Sequence, residues 1–338
     1  MAHAGDVGNL GVRIFFVISG FLITHLLLVE RGRSGTISLK AFYMRRALRI
    51  LPAFYVFVGV AALLTAWGVL ENDRRDFFHA LTYTMNYRGT TDHFSLRHLW
   101  SLAVEEQFYL IWPAVVVFCT VRGAAGVAAG VLLVVPMLRV VLFHVIPGYE
   151  TYMFTGFESV SDALASGAAL AIVFPRLERS PWFDKVLLSP AFPLVFIAIA
   201  LANAQTDHPH FLWVVGIPLM NVLIALVMAR YVRHPHLPLA RLLNTPAAVT
   251  IGTLSYSLYL WQELFLIQWR PVTSVLQQFP WNLVAASACA LLSYALVEQP
   301  FLRLKSRFDA APASAARPET VSDLSQTAKA LIAPGHRA

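Results

Sequence analysis

The sequence predicts an all-α fold, a polytopic integral membrane helix bundle. Hydrophobic residues make up 57% of the 338-residue chain and charged residues only 13%, and the mean hydropathy is +0.61. A soluble domain of ordinary size cannot bury so much apolar surface. Nine apolar runs are long enough to span a bilayer, and the basic residues lie between these runs rather than in one patch. We therefore interpret the basic residues that give the net charge of +7 as determinants of membrane topology. We expect no nucleic acid as a partner.

The predicted spans follow the apolar runs in chain order: residues 10–29, 50–70, 99–121, 124–146, 160–174, 188–203, 211–229, 247–269 and 281–297. With the segment after the first span inside, 19 Lys and Arg residues are cytoplasmic and 5 are outside, which sets the orientation. The first span then enters from outside with nine residues and no signal peptide ahead of it. We expect that a preceding helix is missing, which would make ten in the full-length form; the alternative is a short N-terminus that crosses unaided.

One membrane domain, residues 1–307, and a C-terminal tail, residues 308–338, are predicted. The tail is rich in Ala, Pro, Ser and Thr, so we expect it to be disordered and cytoplasmic. The longest outer loop, between Glu71 and Arg97, has the charge and aromatic content of a short surface helix. Both cysteines fall within predicted spans, and there is no Walker loop or GxGxxG motif. The sequence thus predicts no metal and no bound cofactor.

The stretch from His98 to Pro113 places Glu105 in an apolar run. A charge at membrane depth costs about 2.5–3.5 kcal/mol, and such groups usually mark a site. At 100° per residue, five side chains fall within about 80° of one another and give the helix one polar and aromatic face: His98, Ser101, Glu105, Tyr109 and Trp112. The alternative is a hydrogen-bonded seam between helices.

Two further groups have side chains suited to chemistry. His3 lies at the outer edge of the first span, and histidine can take a proton from a hydroxyl near neutral pH, although a histidine so close to a terminus is usually inert. On the inner side, Arg45, Arg46 and Arg49 precede a span, and the last two are one helical turn apart, so they could clamp phosphates. The alternative is that these arginines anchor the helix to anionic lipid.

Three later spans also have polar faces. Together with the first stripe they predict a polar path through the bundle that is basic at its cytoplasmic end. The side chains assigned to this path are Ser101, Tyr109, Asp162, Ser255, Tyr259, Gln262 and Glu298.

At these residues the chain resembles acyltransferase family 3, integral membrane enzymes that move acyl groups, often acetyl, onto hydroxyls of cell-surface sugars and some secondary metabolites. The resemblance covers residues 11–24, 45–52 (Arg-Arg-x-x-Arg-Ile-x-Pro), 100–113, 162–171, 252–262 and 293–301. It implies ten helices and a catalytic histidine at the end of the first, a position matched by His3-Ala4-Gly5. The arginine that the family carries about ten residues earlier has no counterpart here, and Gln262 stands where many members have histidine.

These residues predict a membrane O-acyltransferase, in a bacterial inner membrane, that uses acyl-CoA as donor and a cell-surface polysaccharide, lipid-linked sugar or secondary metabolite as acceptor. By the resemblance, Arg45, Arg46 and Arg49 bind the phosphates of the donor, and His3 is the base. Glu105 would orient the His3 imidazole or stabilise its cation. A proton-coupled transporter is the alternative, because buried carboxylates suit it equally well; a non-catalytic assembly protein is a third.

Overall fold

The computed structural model describes residues 2–89, 95–204, 209–266 and 275–305, without the side chains of residues 2–7, 209 and 305. The described chain folds into helices. In chain order these are α1 (Ala2–Ser34), α2 (Leu39–Ala66), α3 (Arg74–Leu81), α4 (Leu99–Phe118), α5 (Val121–Val145), α6 (Phe157–Leu177), α7 (Pro181–Leu187), α8 (Leu194–Asn203), α9 (Pro209–Phe211), α10 (Ile217–Arg233), α11 (Pro238–Leu243), α12 (Pro246–Leu266), α13 (Trp281–Ser293) and α14 (Gln299–Lys305). Two π-helical segments, Leu212–Gly216 and Tyr294–Glu298, join α9 to α10 and α13 to α14.

Seven of the described helical stretches are long and apolar enough to cross a membrane, and each coincides with a predicted span. The other two predicted spans fall on α8, which has only 10 residues, and on α12, which has six hydroxyl side chains and one amide. The polytopic helical architecture is therefore confirmed, whereas the count of nine stays a prediction. The predicted tail lies outside the described residues.

The described chain forms two compact units, one of residues 2–37 and 104–241 and the other of residues 38–103 and 242–305. In the first unit, α1 packs closely on α6. A Cβ atom on Gly20 would lie 1.9 Å from the Leu164 carbonyl oxygen, and one on Gly167 would lie 1.9 Å from that of Val17. Only glycine allows the two backbones to approach this closely.

Arg31 connects the last turn of α1 to the end of α4 in this first unit. Its guanidinium donates to the Val116 carbonyl, to the Val117 carbonyl at 3.1 Å and to the Cys119 carbonyl at 3.4 Å. The last carbonyls of a helix have no intrahelical partner, so a cation there satisfies them and opposes the negative end of the helix dipole. This contact fixes α4 beside α1.

The second unit has a hydrophobic core of its own. Phe54, Phe57 and Ala61 on α2 are fully buried, and they belong to one cluster with Leu99 and Leu260. The short helix predicted in the outer loop is present as α3. It begins with a capping box in which the side chains of Asp73 and Asp76 accept from each other's backbone N–H groups, as this motif requires.

An ionic cluster joins the short helix α7 to the end of α10. Arg233 donates to both Asp184 carboxylate oxygens at 3.3 Å, and His234 Nε2 lies 3.2 Å from the same carboxylate. The hydrogen bonds from Arg233 hold the pKa of Asp184 below its ordinary value, and burial lowers the pKa of His234. The carboxylate is thus charged at neutral pH and ties α7 to the end of α10.

Candidate functional site

A cavity of about 330 Å³ opens within the second unit. Its walls are Arg49, Val249, Gly252, Thr253, Tyr256, Tyr294, Glu298 and Leu302. Tyr294 and Glu298 lie at the two ends of the π-helical segment between α13 and α14, and Gly252, Thr253 and Tyr256 lie on one face of α12. A π turn widens the helix, and such turns often occur at functional sites. Here it brings a tyrosine and a carboxylate to the same cavity.

Hydrogen bonds hold the polar walls of this cavity in place. The Ser257 hydroxyl donates to Glu298 Oε1. The Tyr256 hydroxyl donates to the Ile50 carbonyl oxygen at 2.9 Å, which links α12 to the turn of α2 that carries Arg49. Arg49 interacts electrostatically with Glu298 and remains exposed. The cavity therefore combines one accessible cation, one buried carboxylate and several hydroxyl groups.

Of the three arginines predicted to bind phosphates, Arg49 lines the cavity. Arg45 and Arg46 are half-buried and have contacts of their own. A guanidinium exposed at the mouth of a cavity can pair with two oxygens of a phosphate group. Phosphate binding by Arg45, Arg46 and Arg49 stays a prediction.

Two residues of the predicted polar path meet in the second unit. The Tyr259 hydroxyl shares a 2.8 Å hydrogen bond with Ser101 Oγ and donates to the His98 backbone carbonyl. Ser255 is exposed and bonds to the Gly252 carbonyl of its own helix, while Gln262 is half-buried. The path as a single feature stays a prediction, because Tyr109 and Asp162 belong to the other unit.

Glu105 occupies a buried hydrogen-bonded cluster in the first unit. Ser19 Oγ donates to Glu105 Oε1 at 2.6 Å, and the Tyr109 hydroxyl donates to the same oxygen. One turn further along each helix, Trp112 Nε1 donates to Thr24 Oγ1 at 2.7 Å. Glu105, Tyr109 and Trp112 of the predicted stripe thus form a hydrogen-bonded seam with α1, which was the alternative interpretation.

The side chain of His3 lies outside the described residues, but its backbone is in α1. Ser19 follows 16 residues later on the same continuous helix, about 24 Å along its axis at 1.5 Å per residue. The expectation that Glu105 orients the His3 imidazole or stabilises its cation stays a prediction.

Asp162 belongs to a fully buried ion pair in the first unit. Its carboxylate lies 2.6 Å from Arg139 Nη2, and neither side chain is exposed. Arg139 also donates to the carbonyl oxygens of Ser159 at 2.7 Å and Trp213 at 2.9 Å. Arg13 interacts electrostatically with both members of the pair. Two arginines and one carboxylate thus lie together away from water.

Sequence reasoning missed several of these residues, and one of them could have been found. Arg139 is an arginine inside a predicted span, and such a residue marks a site by default. Ser257 and Tyr256 were missed because the polar face chosen on α12 ran through Ser255 instead. Ser19 has no distinguishing signal among the apolar residues of α1.

Comparison with known proteins places these helices in a family. A family model described as an acyltransferase domain matches residues 4–298. The chain is 30% identical, over 318 residues, to the peptidoglycan O-acetyltransferase OatA of Listeria monocytogenes, covering 87% of this chain and 51% of the relative. It is 34% identical, over 320 residues, to the putative peptidoglycan O-acetyltransferase YrhL of Bacillus subtilis, covering 87% and 50%.

A putative O-acetyltransferase of Staphylococcus aureus strain COL is 33% identical over 274 residues, which are 75% of this chain and 45% of that protein. The chain spans about half the length of the curated relatives it matches. No solved structure matches it. The family match covers most of the chain, including six of the seven described helices that suit a bilayer and most of the seventh. This integral membrane protein belongs to the acyltransferase 3 family.

Proposed function

We propose that this protein is a membrane O-acetyltransferase that moves an acetyl group from acyl-CoA to a hydroxyl of a cell-surface polysaccharide. In this reaction the acceptor hydroxyl loses its proton to a base, and its oxygen attacks the carbonyl carbon of the thioester. The carbon–sulfur bond then breaks, and coenzyme A leaves as a thiol after taking up that proton. The protein has to hold both reactants and manage one proton.

The cavity beside Arg49 is the observation that carries the proposal. Coenzyme A has a polyanionic end and a long uncharged arm that ends in the thioester. An exposed guanidinium at the mouth suits the phosphates, whereas Tyr256 and Tyr294 offer hydrogen bonds and ring surface to the neutral part. Glu298 would repel a phosphate placed deeper and so favours a donor whose charge stays at the Arg49 end.

The base is proposed to be His3, and this assignment rests on the family resemblance. We also propose a positioning role for Glu105, which accepts hydrogen bonds from Ser19 and Tyr109. The relatives whose names specify a substrate act on peptidoglycan, so a peptidoglycan-like acceptor outside a bacterial inner membrane is the first choice for the assay.

The first experiment measures donor binding and acetyl transfer separately, with detergent-purified protein, acetyl-CoA and a soluble glycan acceptor. Arg49→Ala removes a contact made in the ground state and the transition state alike, so KM for acetyl-CoA should rise with little change in kcat. Arg241→Ala is the control, because Arg241 is also exposed but lies in the other unit. Equal effects of the two substitutions would count against the cavity as donor site.

The second experiment tests the base. His3→Ala should lower kcat about 10²–10⁴-fold, with donor affinity little altered. Glu105→Gln keeps an oxygen that can accept from Ser19 and Tyr109, so the variant should fold and lose less activity than His3→Ala. Full transfer activity in His3→Ala would refute the assignment of the base. If the wild-type protein binds no acetyl-CoA, the proton-coupled transporter becomes the better proposal.

A further inference from the structure

His98 is a buried histidine that the proposed reaction does not yet use. Only 8% of its surface is exposed, and neither ring nitrogen makes a hydrogen bond of normal geometry with a described residue. The Leu260 backbone carbonyl is near enough to act as a weak acceptor for the ring, but no hydrogen bond of normal geometry forms. A buried polar group left without a hydrogen-bond partner is destabilising. Such a group calls for an explanation, and a partner that binds during function is one explanation.

The surroundings of His98 indicate the chemistry of that partner. The ring lies 5.5 Å from Phe57 and 5.1 Å from Tyr259, centroid to centroid, and Phe57 packs edge-on against Trp261. Burial lowers the pKa of His98 to about 3, so the imidazole is neutral at physiological pH. A neutral imidazole among aromatic rings favours an uncharged ligand that can form hydrogen bonds, because a charged one would lose its hydration without a counter-charge.

His98 and the proposed donor cavity lie in the same unit and are connected by two helices, α2 and α12. Phe57 follows Arg49 by eight residues on α2, about 12 Å along the helix. On α12, Tyr259 follows the cavity residue Tyr256 by about one turn. Both helices therefore lead from the cavity to His98. The extended pantetheine arm of coenzyme A is longer than this distance, and it carries two amide groups and the thioester.

We propose that His98 is the buried hydrogen-bonding residue for the uncharged, acyl-bearing arm of the donor, with Phe57, Tyr259 and Trp261 as the walls of that subsite. The inference rests on the proposed function, because it takes acyl-CoA as the donor. It adds a second recognition element that is independent of phosphate. Arg49 would recognise the charged end of the donor, and His98 the neutral end.

The test compares acetyl-CoA with S-acetyl-N-acetylcysteamine, a short donor that keeps the thioester and one amide but has no phosphate. His98→Phe keeps an aromatic ring without nitrogen and should lower kcat/KM about 10–100-fold for both donors. His98→Gln keeps a hydrogen-bonding amide and should lose less than about fivefold. Arg49→Ala should reduce the preference for acetyl-CoA over the short donor, whereas the His98 variants should leave that ratio unchanged.

Thermal unfolding in detergent separates recognition from folding. If His98→Phe is unstable, His98→Met, which also lacks a nitrogen but is flexible, replaces it in the same comparison. Wild-type activity in the variant without nitrogen, equal losses in that variant and in His98→Gln, or a loss seen only with acetyl-CoA would each overturn the inference. If the wild-type protein uses neither donor, the proposed function itself fails, which is a distinguishable result.

Discussion

The buried pair of Arg139 and Asp162 permits a quantitative prediction. The carboxylate lies 2.6 Å from the guanidinium, and both side chains are fully buried. Removal of one member of such a pair costs about 3–5 kcal/mol, because the other charge stays in a medium of low polarity. Arg139→Leu also deprives the Ser159 and Trp213 carbonyls of a donor, which adds at least about 1 kcal/mol.

Asp162→Asn should lower the free energy of unfolding by less, about 3 kcal/mol. Arg13 and Arg139 lose their counter-charge in this variant, but Arg139 keeps its two carbonyl partners. The double variant Arg139→Leu/Asp162→Asn leaves no carboxylate without an arginine partner. It should therefore be more stable than the sum of the single effects by about 2 kcal/mol.

The assay is urea-induced unfolding in detergent micelles, followed by tryptophan fluorescence. The control is Arg122→Leu, the same substitution at an exposed position of the same helix, which should change the free energy of unfolding by less than about 0.5 kcal/mol. If Arg139→Leu costs no more than this control, or if the single effects simply add, the pair does not stabilise the bundle as argued.

Three further predictions concern packing, pH and topology. Gly20→Ala should destabilise the protein by about 1–3 kcal/mol, because its Cβ would meet a backbone oxygen at 1.9 Å. Gly59→Ala is the control and should not destabilise the protein, because a Cβ there meets open space. Thermal unfolding in detergent compares the two variants. The hydrogen bonds from Arg233 lower the pKa of Asp184. The carboxylate therefore contributes its full stabilisation above about pH 4 and loses it as the pH falls below that value. The difference in unfolding free energy between wild type and Asp184→Asn should narrow in acid and stay constant at neutral pH. A reporter active only outside the cytoplasm should be on when fused within α3 and off within α7, and the reverse would overturn the orientation.

The spanning helices were predictable because a bilayer requires long apolar segments whatever their neighbours are. The predicted run at residues 99–121 is α4, and its polar stripe could be read from the helical period. The sequence also showed that Glu105 lies within an apolar run, where a charge is energetically unfavourable. The helical period does not show whether the stripe faces a substrate or another helix. Glu105 accepts a hydrogen bond from Ser19 on α1, so this part of the stripe faces another helix.

The family, the helical class and the identity of the polar residues were therefore determined by the sequence, since these depend on local composition and on short motifs. Tertiary structure decided which of those residues meet. Arg49 and Glu298 share a cavity only because α2 packs against the π-helical segment that ends at Glu298. Ser257, not Ser255, bonds to Glu298, since burial of one face of α12 depends on its neighbours. His98 was already part of the predicted stripe, but only the structure showed the rings of Phe57 and Tyr259 around it. Such contacts join residues far apart in the chain, and a periodic pattern within one helix contains no information about its partner.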